Sequence, residues 1–167
     1  MKKFLLLIIA FSVLGVSQKN FAQPNLPEND INLMEVRIEI KRDGSSMGCI
    51  GCTPEYSASI DGNGIVHYEG FSGVKLKGRH TFSISVEQVK YLLENFGKIN
   101  FASLEDSYTF RKVPRGVEKI SHGIKTTTTL IIGNKTKSVF NFHGAPKELD
   151  ELQEKINEII IKLQEND

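Results

Sequence analysis

Twice along this chain the apolar residues change their spacing, from every second position to every third or fourth. From Leu33 to Arg42, Met34, Val36, Ile38 and Ile40 alternate with Glu35, Arg37, Glu39 and Lys41, the period-2 signature of a strand with one wet face. Asp43 to Gly48 then breaks the order. Tyr56, Ala58 and Ile60 alternate again, Asp61-Gly62-Asn63-Gly64 is the clearest hairpin signal in the chain, and Ile65 to Glu69 is the return strand. Gly and Asn there supply the positive φ that a tight turn needs. Gly70 to Gly73 allows another reversal, and Val74 to Ile84 supplies a third strand of the meander. At Ser85 the period changes. Ser85 caps a helix and Gln88 completes its capping box. Val89, Leu92, Leu93 and Phe96 follow at helical spacing, and Gly97 stops the helix.

The cycle then repeats. Ile99, Phe101 and Leu104 form a packed connector ending at Tyr108. Thr126 to Ile132 and Lys135 to Phe142 are strands joined by Gly133-Asn134, a second hairpin with a type II′ turn. Of the four threonines Thr126 to Thr129, two face inward and two outward, as a β-branched strand requires. Pro146 stands at a first-turn position, and Leu149, Leu152, Ile156, Ile159, Ile160 and Leu163 mark a long amphipathic helix up to Gln164, with Ile161 beside the stripe. The order predicts an α+β domain: an antiparallel sheet of about five to six strands in two hairpin units, with both helices packed on one face.

Ahead of this domain, Lys2 and Lys3 precede an apolar run from Phe4 to Val16, then Ser17 to Asn20 turn polar before Phe21-Ala22-Gln23. That is the layout of a secretory signal peptide over residues 1–22, with cleavage after Ala22. The run is too short to span a bilayer, and no Cys stands beside the cut to take a lipid anchor. Residues 23–32, with Pro24 and Pro27, read as a flexible leader to a single domain over 33–165. Cleavage removes Lys2, Lys3 and Lys19, three of the 21 basic residues, and none of the 20 acidic ones, so 18 stand against 20. A net charge of −2 gives nothing to steer a nucleic acid. The expected destination is the periplasm or the extracellular space, with no membrane span after cleavage.

Cys49 and Cys52 are the only cysteines, and an exported chain favours their oxidised form. Three chemistries compete. One is a small disulfide that pins the entry into the Tyr56 strand. A second is a redox-active CxxC, which wants its first Cys at a helix N-terminus, whereas here Pro54 and strand alternation follow. A third is a metal site, for which two thiolates need two more ligands. His67, His80, His122 and His143 offer no pair at a fixed spacing, so no metal ligand set is assigned. Free or intermolecular thiols complete the alternatives.

From Phe110 to Gly123, Arg111, Lys112, Arg115 and Lys119 face one acid, Glu118, and His122 joins them. This irregular stretch is a candidate binding loop for an acidic surface or a glycan phosphate, against the plainer reading of a solvated loop. His67, His80 and His143 read as solvated strand residues. No GxSxG elbow, no carboxylate pair on one helix face and no phosphate-binding glycine loop is present. No catalytic residue and no cofactor are therefore assigned. Pro54, Gly62, Asn63, Gly64, Gly133 and Asn134 are read as structural turns.

Cys49-x-Gly51-x-Thr53-Pro54-x-Tyr56, followed by Ile60-Asp61-Gly62-Asn63-Gly64-x-Val66-x-Tyr68-x-Gly70, resembles the opening of a bacterial family described as a domain of unknown function, number 6438. Its members read Cys-x-Gly-x-Cys-Pro-x-Tyr, then an Asp-Gly turn and Val-x-Tyr-x-Gly. Val74, Gly78, Phe101-x-x-Leu104, Lys135-x-Lys137-x-Val139 and Gly144-Ala145-Pro146 continue the likeness over roughly residues 33 to 162. One position departs: the family's second Cys falls at Thr53, while this chain has Cys52. The resemblance implies an exported bacterial domain and brings no activity. The reading is a non-enzymatic binding or structural module of the envelope, its partner an envelope protein, a glycan or a second copy. The alternatives are a thiol–disulfide protein and a hydrolase assembled only in three dimensions.

Overall fold

The alternating residues at the start of the domain build β1 (Val36–Ser45), the strand around which the sheet is organised. A computed structural model describes residues 31–45, 53–118 and 123–165. The expected signal peptide, most of the leader, Cys49, Cys52, Lys119 and His122 lie outside the described residues. After β1 come β2 (Glu55–Asp61), β3 (Ile65–Ser72), β4 (Gly78–Ser83) and helix α1 (Val86–Lys98). Then follow β5 (Ser107–Thr109), β6 (Arg111–Val113), β7 (Gly116–Glu118), β8 (Gly123–Ile132), β9 (Lys135–His143) and helix α2 (Lys147–Glu165).

The main sheet has seven strands in the order β4-β3-β2-β1-β8-β9-β5. It is mostly antiparallel, and the six long strands are those that alternation marks. The expectation of a wholly antiparallel sheet is corrected at one edge, where β5 runs parallel to β9. The connector after α1 reaches that edge from the side rather than through a tight turn. Lys137 Nζ fastens it by donating to the Leu104 carbonyl at 2.6 Å.

Other boundaries move for physical reasons. Leu33–Glu35 forms a 3-10 turn capped by Asn32, so Met34 leaves the strand pattern and is exposed. Strand β1 continues past Arg42, because Asp43, Gly44 and Ser45 pair with Lys125, Ile124 and Gly123. Val74 to Lys77 form a loop ahead of β4. The Ser85–Gln88 capping box is present as expected. Gly97 lies inside α1, and the left-handed residue that ends the turn is Asn100, at φ 48°. The basic stretch is not irregular throughout: β6 and β7 pair as a small separate hairpin across Pro114 and Arg115.

Both helices lie on one face. Their stripes meet Val36, Ile38, Ile40, Tyr56, Ala58, Ile60, Val66, Tyr68, Leu130 and Val139 in a single core. Phe96 and Phe101 close it edge to face, with ring centroids 4.8 Å apart. Thr126 and Thr128 point in and Thr127 and Thr129 out, as the alternation requires. The Gly133–Asn134 turn has positive φ at Gly133 alone, at 59°, which matches a type II′ turn.

The two glycines of the first hairpin serve different needs. Gly64 has φ 89°, the left-handed region where a side chain is strained. Gly62 allows close approach, since a Cβ there would sit 1.7 Å from the Leu33 carbonyl oxygen. Its amide also donates to Val36 O at 2.9 Å, so the hairpin and the 3-10 turn are locked together. Gly62→Ala is therefore expected to lower the unfolding free energy by about 2 to 4 kcal/mol, read from urea denaturation. A loss below about 0.5 kcal/mol, the ordinary range for surface changes, would contradict this contact.

Candidate functional site

Because β1 keeps its alternation beyond Ile40, Arg42 falls on the helix-covered face. Its partners in register are Tyr56 on β2 and Thr126 on β8, and Thr126 in turn pairs with Asn141 on β9. Four adjacent strands thus carry one continuous polar row, Tyr56, Arg42, Thr126 and Asn141, and every member is buried. The neighbouring row, Ala58, Ile40, Thr128 and Val139, is apolar except for Thr128.

Buried polar groups need partners, and α2 supplies them. Tyr56 Oη donates to Asn157 Oδ1 at 2.9 Å, and Asn157 Nδ2 donates to Glu154 Oε1 at 2.9 Å. Asn141 Nδ2 donates to Gln153 Oε1 at 2.8 Å and to Asp150 Oδ1 at 2.7 Å. Gln153 Nε2 donates to Thr128 Oγ1 at 3.0 Å. These contacts fix the rotation of α2 about its own axis, since Gln153 and Asn157 must face the row.

Arg42 is less well served. It is 8% exposed, and its Nη1 reaches Glu154 Oε2 at 3.5 Å, the outer limit of a hydrogen bond. Its Nε is buried with no partner. Among the described residues this buried guanidinium has one long ion pair and the neighbouring Tyr56 hydroxyl, and its Nε remains uncompensated. Burial pushes the Tyr56 phenol far above its ordinary range, with Arg42 beside it acting in the opposite direction.

Beside this row the molecule opens into a cleft of about 210 Å³. Arg42, Thr126 and Asn141 form its floor, and Asp150, Gln153 and Glu154 of α2 form one wall. Ile124, Phe142, His143 and Gly144 close the end. A larger hollow of about 380 Å³ lies at the other end of the sheet, between the 3-10 turn and the β2–β3 hairpin. Its Arg37 and Asp61 are already matched, Nε to Oδ1 at 2.9 Å, and its Glu35 accepts from Asn32 Nδ2 at 3.2 Å. The smaller cleft is therefore the better candidate, because it alone adjoins a buried cation with an unanswered donor.

The residues expected from sequence to carry function fall elsewhere or outside the described residues. Cys49 and Cys52 are outside them. Thr53, at the family's second cysteine position, packs against Gly44, whose added Cβ would lie 2.7 Å from Thr53 Cβ. Arg111 and Lys112 lie in β6, and Arg115 is exposed at the β6–β7 turn. Gly123, which follows the basic stretch, adjoins Phe142 and His143 at the end of the cleft. His67 is exposed on the outer face as expected, with Nε2 3.6 Å from Asp61 Oδ2. His80 is half-buried and stacks on Phe82 at 5.9 Å, and His143 lines the cleft, so neither is the solvated residue expected. Among the described residues no group of three or more His, Cys, Asp or Glu is placed to hold a metal, and no helix is long and apolar enough to cross a membrane.

Alternation reading did not single out the polar row, although its signal was present. Arg42 is in phase with Ile38 and Ile40, and Gln153 and Asn157 are each four residues from Leu149 or one step beside Ile156 on the buried side of α2. A polar residue in phase with an apolar stripe is a buried polar residue.

A seven-stranded, mostly antiparallel sheet covered on one face by two helices, with a polar cleft at one end, defines a small α+β domain. The chain belongs to the family described as Domain of unknown function (DUF6438), whose model matches residues 37–160. That span includes the whole polar row and the α2 residues facing it. No curated protein matches the chain.

Two measurements test this description. Asn141→Ala strips Gln153 Oε1 of its donor and is expected to cost about 1 to 3 kcal/mol of stability, measured by chemical denaturation; an unchanged midpoint would contradict the network. Tyr68, whose Oη donates to Leu76 O at 3.2 Å, is pushed by burial from 10.0 to about 12. The folded state favours its neutral form, so the unfolded chain ionises first. Its contribution is complete below pH about 10 and is lost as pH rises towards about 12. Tyr68→Phe should flatten the fall in stability over that window, and an equal fall in both proteins would contradict the assignment.

Proposed function

We propose that the protein is an exported, non-enzymatic binding module of the bacterial envelope, and that the Arg42 cleft is its site. The observation that carries this reading is the buried Arg42 with a partnerless Nε, set beside a cleft whose other polar groups are held in place by hydrogen bonds. Side chains fixed in advance lose little entropy on binding, which is how a site gains affinity without large area. Export is supported by the tripartite layout of residues 1–22. A Cys49–Cys52 disulfide fits the same compartment as a local staple ahead of β2. Binding partners of the right scale are small polar molecules and glycan fragments rather than long polyanions, because Asp150 and Glu154 stand at the cleft wall.

Export and oxidation are tested together by the intact mass of the mature protein, with and without reduction before alkylation. The expected species begins at Gln23 and gains two alkyl groups only after reduction. An uncleaved chain, or thiols that alkylate without reduction, would contradict this part of the reading. Binding is tested by adding envelope glycan fragments and a panel of small polar metabolites to the isotope-labelled protein. Amide shifts are expected at Arg42, Thr126, Asn141 and Asp150 to Glu154. Shifts confined to the outer sheet face or the β6–β7 hairpin, or none, would contradict the site.

A further inference from the structure

The geometry points to a small zwitterion as the ligand of this cleft, its carboxylate on Arg42 at the floor and its ammonium on Asp150 and Glu154 at the rim. The inference rests on the cleft being a binding site and adds the chemistry of what enters it. Depth separates the two charges. Arg42 is buried, whereas Asp150 and Glu154 are exposed. A ligand entering from solvent meets the two carboxylates first and the guanidinium last.

Each end has an unanswered charge. Among the described residues Arg42 holds one ion pair at 3.5 Å, stands beside the Tyr56 hydroxyl and keeps a buried Nε without a partner. Asp150 forms no ion pair among the described residues, and its contact is the Asn141 amide. Nearby, Lys147 is committed to Glu151 at 2.7 Å. The three charges of the cleft sum to −1. A simple anion would answer Arg42 and raise the local charge to −2, and a simple cation would leave Arg42 as it is. A zwitterion answers both ends and leaves the sum unchanged.

The present Arg42–Glu154 contact gives the exchange a route. A ligand carboxylate that takes the guanidinium in two-point fashion displaces Glu154 Oε2, which is free to turn because the Glu154 side chain is 58% exposed. Glu154 keeps its Oε1 contact with Asn157 at 2.9 Å. Its released oxygen then faces the ammonium. Size agrees: the 210 Å³ cleft exceeds a cavity of about 150 Å³ that holds benzene. A molecule of about ten heavy atoms, the scale of a free amino acid, fits such a volume.

The test compares L-leucine with 4-methylpentanoate, which lacks the ammonium, and 3-methylbutylamine, which lacks the carboxylate. Glycine and L-glutamine serve as further zwitterions. Binding is read from amide shifts of the labelled protein. At least one zwitterion is expected to shift Arg42, Thr126, Asn141 and the Asp150–Glu154 turn, and L-leucine to bind at least tenfold more tightly than either single-charge relative. Asp150→Asn keeps an acceptor for Asn141 and changes an exposed residue. It should weaken L-leucine at least threefold and not weaken 4-methylpentanoate, whose repulsion from the rim it relieves. Arg42→Met should abolish both; if that variant fails to fold, Glu154→Gln combined with Asp150→Asn decides the question from the rim alone. Equal binding of L-leucine and 4-methylpentanoate at the cleft would overturn the zwitterion while leaving a binding site in place. Silence at the cleft with all five probes would also overturn it. If the glycan and metabolite panel is silent there as well, the binding reading falls with it.

Discussion

A row of four buried polar side chains crosses β2, β1, β8 and β9, and the rest of the structure is arranged to satisfy it. Desolvating such groups costs about 1 to 3 kcal/mol for each one left unpaired, so they admit few arrangements. Apolar rows tolerate a rotated helix or a shifted contact; this row does not. Gln153 must lie over Asn141 and Thr128, and Asn157 over Tyr56. The polar contacts thereby select one rotation of α2 from the several that its apolar stripe would accept. The same demand fixes register, since a slip of one residue would send the row to the solvent face.

The two ends of the sheet are consequently unlike. At one end Gly62 lets the β2–β3 hairpin close against Leu33, and the charged residues there are paired on the outer face. At the other end β1 and β8 run on together to Ser45 and Gly123, and α2 begins over Asn141. The cleft opens where the first turns of α2 leave the end of β9. Its polarity follows from the row below it, and its single uncompensated donor belongs to the residue at the row's centre.

Much of this fold is legible in the sequence, and the exceptions have causes. Period-2 runs locate the six long strands, and the Ser85 capping box and the Leu149-to-Leu163 stripe locate the helices. β5 is missed because three residues carry no periodicity, and its parallel pairing depends on where the connector after Phe101 lands. β6 and β7 are missed because each has only three residues, too few to carry a period. The site is missed for a different reason. Arg42 closes an alternating run in phase with Ile38 and Ile40, but phase alone does not show that Thr126 and Asn141 continue its polar row across the sheet. Only the three-dimensional pairing of distant segments brings Arg42, Asn141 and Glu154 together.

The central claim is that α2 is held in place by this polar matching as well as by apolar burial, and a double-mutant cycle on Tyr56 and Asn157 tests it most directly. Tyr56→Phe and Asn157→Leu each remove one side of a buried hydrogen bond, and the pair removes both. Matching predicts a coupling above about 1 kcal/mol, in the range for residues in direct contact, with the double variant more stable than the sum of the single losses implies. Losses that add within about 0.3 kcal/mol would show that the two residues act independently and that apolar packing alone seats the helix.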